Sequence, residues 1–139
     1  MDKLLAVWDF HDCPRTGIAE YDGSPHYFAC GWDASADDYS NVFSLTPINE
    51  TTLALALEQW SIWCAWERDF HAGRVTAETH PNLGGINSRY DELSRLLKAA
   101  LATLPPAKIQ AVAAFSPGPE ASASPSAVRP TMVVWSNAT

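Results

Sequence analysis

From Thr51 to Ala72 the chain reads TTLALALEQWSIWCAWERDFHA, and its polar or small positions fall on one stripe: Thr51, Ala54, Glu58, Ser61, Ala65, Arg68 and Ala72. Steps of three and four residues mark a helix wetted along a single line. The rest of its circumference is apolar or aromatic, carrying Leu53, Leu55, Leu57, Trp60, Ile62, Trp63, Trp66 and Phe70. Such a helix is expected at the centre of the domain, buried over more than half its girth. Trp60, Trp63 and Trp66 step back by ~60° each and fan over roughly a third of the wheel. Core packing is the expected role of the fan; lining a ligand groove is the alternative.

The flanking segments supply the sheet. Leu4 to Phe10 reads as a buried first strand, broken by the Pro14 region. Residues 17–21 and 25–32 flank Asp22-Gly23, a strong hairpin signal because both residues tolerate positive φ. Asp33 to Asn41 reads as an exposed polar loop, and residues 42–46 as a fourth strand closed by Pro47. Asn49 is placed to cap a helix over 50–72, and Gly73 to end it. A second helix over 89–104 opens on a capping box at Ser88 and Asp91, shows a Tyr90, Leu93, Leu97, Leu101 stripe, and stops at Pro105. Residues 108–115 and 131–135 read as strands joined by a mobile Pro/Ser/Ala-rich loop over 116–130.

At 139 residues the chain is expected to form a single domain. The class is α+β: a mostly antiparallel sheet of about five to six strands with two helices packed on one face.

Charge is distributed unevenly. Residues 1–50 hold nine acids against Lys3 and Arg15, whereas residues 51–139 balance seven acids with seven bases. The whole net charge of −7 therefore lies in the first third. Phosphate contacts require Lys and Arg, so a direct nucleic-acid partner is not expected. A basic protein surface suits the acidity better. No apolar run approaches the ~20 residues that cross a bilayer, and Met1-Asp2-Lys3 does not open a signal peptide. With Cys13, Cys30 and Cys64 odd in number, reduced thiols and a cytoplasmic location are expected.

The densest polar cluster follows the first strand: Asp9, His11, Asp12, Cys13 and Arg15. Extended chain would place Asp9, His11 and Cys13 on one face, and His26 with Cys30 on another. The two N/S pairs match no standard zinc spacing, and no metal is assigned. Cys13 beside His11 is a weak nucleophile–base pair, since side chains two apart on a strand seldom align their reactive atoms. Asp33, Asp37 and Asp38 lack the order of a calcium loop, and Gly84-Gly85 lacks the Lys and Ser/Thr of a phosphate loop. No catalytic residue and no cofactor is assigned.

The phrases AVWDFHDCPRTGIAEYDG (6–23), LTPINETTLALALEQWSIWCAWERDFHAG (45–73) and THPNLGGINSRYDEL (79–93) resemble a group of small bacterial proteins that carry no assigned activity. The similarity covers about Leu4 to Leu104, with the Trp-rich helix its most specific part. It implies a bacterial domain and carries over no site residue.

Two functions are weighed. The first is a small acidic interaction protein, an inhibitor or immunity-type factor of bacterial and phage conflict (anti-CRISPR-like), acting as monomer or homodimer. Its partner surface would comprise Asp12, Glu20, Asp22, Asp33, Asp37 and Asp38. The second is a small enzyme or ligand binder with a pocket formed by Asp9, His11, Asp12, Arg15 and His71.

Overall fold

In the computed structural model, which describes residues 1–117 and 130–138, the chain forms two compact units. One unit comprises residues 1–48 with the segment from Pro105 onward, and the other residues 49–104.

The first unit is a β-barrel. Its strands are β1 (Asp2–His11), β2 (Cys13–Tyr21), β3 (Ser24–Asp33), β4 (Asp38–Pro47), β5 (Ile109–Ser116) and β6 (Met132–Asn137). Each pairs antiparallel with its neighbour, and β6 returns to β1. The expected α+β content and antiparallel pairing are present, but the sheet is not open: it closes. Closure leaves no free sheet edge to cover and turns one face of every strand into the interior.

Period-two alternation decides what lies inside. Ala19, Phe28, Cys30, Phe43, Leu45, Ala111 and Val133 form the buried core. The rings of Phe28, Phe43, Phe115 and Trp135 pack with centroids 5.8–6.3 Å apart. Trp135 donates its indole N–H to the Glu20 carbonyl at 2.9 Å, pinning β6 to β2 across the interior. Gly17 permits a close β1–β2 approach, because a Cβ there would lie 2.1 Å from the Ala6 carbonyl oxygen.

Two expected loops are largely paired strand instead, with residues 34–37 an exposed turn. β1 and β2 run through the Pro14 region with only Asp12 between them, Phe10 opposing Pro14 and His11 opposing Cys13. The irregular register of β1 at this end accommodates a proline near the start of β2. The polar stretch 33–41 is a tight hairpin whose Trp32↔Tyr39 and Asp33↔Asp38 rungs pair to the tip. Polar side chains there lie beyond the barrel core, so polarity signalled exposure rather than loop. The expected mobile loop lies almost entirely outside the described residues.

The second unit is a helical hairpin: α1 (Glu50–His71), short 3₁₀ turns at Ala77–Thr79 and Pro81–Leu83, and α2 (Ser88–Ala102). Asn49 caps α1 as expected, accepting from the Thr52 amide at 2.8 Å. Its end is a Schellman motif, in which Gly73 (φ 74°) donates to Phe70 and Arg74 donates to Asp69. The cap of α2 is Asn87 rather than Ser88, and Asp91 turns back to accept from the Gly85 amide instead of closing a capping box.

The burial of α1 departs from expectation. Its buried residues are Thr52, Ala56 and Gln59, while α2 buries Tyr90, Leu93 and Leu97, and Gln59 reaches Ser94 across the hairpin. The three tryptophans are half-buried, and Leu57 and Phe70 are exposed. Small side chains allow two helices to approach closely, whereas one partner helix cannot cover a fan of indoles. Trp63 and Trp66 instead bracket the His80 ring at 4.5 Å each, and Trp66 stacks on Phe70 at 5.1 Å.

Candidate functional site

The candidate site lies at one end of the barrel, where the β1–β2 turn and the β3–β4 hairpin tip meet. Asp12 makes the first connection alone, in the left-handed region at φ 67°. That reversal brings Arg15 back along β2, where its Nε donates to the His11 carbonyl at 2.9 Å.

The Arg15 guanidinium lies over the Tyr39 ring at 4.5 Å and sits 3.7 Å from the Cys30 sulfur. His11 packs against Tyr39 at 5.2 Å, and Trp32 meets the same ring edge-on at 5.3 Å. Tyr39 therefore receives a side chain from each of β1, β2 and β3, and it binds the two connections into one structure. Cation–π and edge-to-face contacts of this kind fix orientation as well as adding attraction.

Around this nest the surface combines exposed aromatics and carboxylates. Phe10 and Trp32 are each 58% exposed although large and apolar. Asp12, Asp33, Asp37 and Asp38 are exposed beside them. Asp33 accepts from the Ser35 hydroxyl at 2.7 Å and from the Ser35 amide at 3.0 Å, which holds its carboxyl below the usual carboxylate range. Asp37 occupies the left-handed region at φ 52°, and Asp38 accepts from the Tyr39 amide at 2.7 Å.

Of the six carboxylates expected to form one partner surface, four meet here. Glu20 and Asp22 flank the β2–β3 turn at the other end of β2, about 30 Å of extended chain from Asp12. There Glu20 accepts from the Lys3 amide, and Asp2 accepts from the amides of Asp22 and Gly23.

The groups expected to line a pocket are differently engaged. Asp9 accepts from the Thr16 hydroxyl at 2.9 Å, and Arg15 is committed to His11, Tyr39 and Cys30. His71 belongs to the helical unit, 3.8 Å from Glu67 and against the Phe70 ring.

Burial pushes the Cys13 thiol up, outweighing the opposing pull of Arg15, so Cys13 is a poor nucleophile at neutral pH. His26 is buried, against the Tyr21 ring and the Ser24 carbonyl. Among the described residues no three His, Cys, Asp or Glu side chains stand together in a way that could hold a metal ion.

Sequence reasoning missed Phe10, Trp32 and Tyr39. The signal was present in β3, where inward alternation through Phe28 and Cys30 continues to Trp32, past the last core layer.

No protein-family model matches the chain, and the searches of curated proteins and of solved structures likewise return no match. Among the described residues no helix is long and apolar enough to cross a membrane.

Proposed function

We propose that this chain is a cytoplasmic interaction protein that captures a basic surface on another protein with the Tyr39 end of its barrel. Its role is that of an inhibitor or immunity-type factor in bacterial and phage conflict. The observation that carries this is the exposure of Trp32, held by Tyr39, on a hairpin that also exposes Asp33, Asp37 and Asp38. Fixed aromatics supply contact area at small entropic cost, and they are the residues in which interface energy concentrates. The carboxylates steer a cationic partner and set the register.

The test is capture of partners from bacterial lysate with the tagged protein, read by mass spectrometry and followed by affinity measurement. One stoichiometric partner with a basic surface is expected, bound more weakly as salt rises. Trp32→Ser should weaken it at least tenfold at any salt. Asp37→Lys with Asp38→Lys should do so mainly at low salt, where exposed charges are least screened. Unchanged affinity in both variants would sink the assignment.

A further inference from the structure

The connection between α1 and α2 is pinned by one imidazole that does two things at once. The His80 ring lies 4.5 Å, centroid to centroid, from both the Trp63 and the Trp66 indoles. Each indole is fixed in turn by its own N–H, Trp63 donating to Glu67 and Trp66 to the Thr79 hydroxyl, both at 3.0 Å. The same His80 ring caps the turn Pro81–Leu83, its Nδ1 accepting from the Asn82 amide at 3.1 Å. A backbone amide only donates, so Nδ1 holds a lone pair and the neutral ring carries its proton on Nε2. Pro81 has no N–H, which makes the Asn82 amide the first donor of the turn.

We infer that His80 is a proton-operated latch on this turn: neutral, it caps residues 81–83; protonated, it releases them. A second proton has only Nδ1 to go to, and there it sets two N–H groups against each other at hydrogen-bond distance. Turning the ring over presents a C–H in place of Nδ1 and supplies no acceptor either. The indoles bracket the ring, within the ~6 Å at which an aromatic ring attracts a cation, so the turn yields rather than the ring. What then remains of the turn is the Leu83 amide on the His80 carbonyl at 3.1 Å, and the chain is tied again where Gly85 donates to Asp91 at 2.8 Å. The released segment includes Leu83, which is 64% exposed.

The titratable groups on the elements packed about the ring have other engagements. On α1, Glu67 takes the Trp63 N–H and stands 3.8 Å from His71. On the connection, Glu78 bonds to Thr76. On α2, Asp91 holds the Gly85 amide and Tyr90 is buried. Histidine is the side chain that changes charge between about pH 5 and 8, and His71 is the other histidine of the helical unit.

Heteronuclear NMR of the whole protein from pH 8 to pH 5 tests the inference. The Asn82 amide and the Trp63 and Trp66 indole N–H signals are expected to shift together with the His80 ring. The Asn82 amide should also exchange with solvent at least tenfold faster at the acid end, beyond the pH dependence of exchange itself. His80→Asn supplies the kind of acceptor that Asn49 and Asn87 supply to the two helices, without titrating, and should keep that amide protected down to pH 5. His80→Ala should show at pH 8 the fast exchange that the unaltered protein shows at pH 5, and His71→Gln should leave the transition in place. An Asn82 amide that stays protected while the ring titrates, a ring that stays neutral down to pH 5, or a transition that persists in His80→Asn overturns the inference.

Discussion

Gly17 shows how much a single position can decide. A Cβ there would lie 2.1 Å from the Ala6 carbonyl oxygen and 3.0 Å from the Phe28 ring. Backbone on one side and a core ring on the other cannot both yield. Gly17→Ala is expected to cost about 3 kcal/mol or more in a urea titration. Gly31 is the control: nothing lies within 4 Å of its added Cβ, so Gly31→Ala should stay within ~0.5 kcal/mol. Sequence alone distinguishes these two strand glycines poorly, since what differs is the approach of another strand. By contrast, Asp22-Gly23 was legible, because its positive φ angles (52° and 82°) are a local demand of the turn.

At the level of elements, the helical hairpin is held in part by a buried polar contact. Gln59 is buried, and its amide donates to the Ser94 hydroxyl at 2.8 Å. On the exposed side, Arg89 bridges Glu58 and Glu92. Ser94→Ala should destabilise by about 1–3 kcal/mol, because it strands the buried amide. Adding Gln59→Leu should recover most of that loss, and thermal unfolding of the single and double variants reads the cycle. Helix ends and strand positions were legible from caps, turns and periodicity. The dry side of α1 was not. The wheel identified the wet line through Thr51, Glu58 and Ser61, yet the residues α1 buries are Thr52, Ala56 and Gln59, the last of them in contact with α2. Hydropathy ranks side chains by their aversion to water, whereas helix contact also selects for small size. The acidic half of the candidate site was likewise visible as composition, but Tyr39 as its centre depends on barrel curvature, which no local pattern states.

For the molecule as a whole, the barrel is assembled from two stretches of chain with the helical unit between them. The return of β6 to β1 rests on Asp2↔Val133 and Lys3↔Met132, with the Leu4 amide donating to Thr131 at 2.9 Å. A chain stopped at Ser116 lacks Val133 and Trp135 from the core, together with the indole tie to Glu20. Such a chain should lose the near-ultraviolet circular dichroism and cooperative unfolding of the full protein. Retention of both would show that five strands suffice.

The same pairing constrains the order of events during synthesis. Residues 2 and 3 leave the ribosome well before residues 132 and 133 and find their partners only when these have followed. Helical hairpins form through local contacts, while pairing across such a separation bears the loop-closure cost in advance. The nascent barrel therefore waits as an incomplete sheet, with β1 exposing the side that β6 will later take. For that interval the edge that closure removes is open to pairing with other chains.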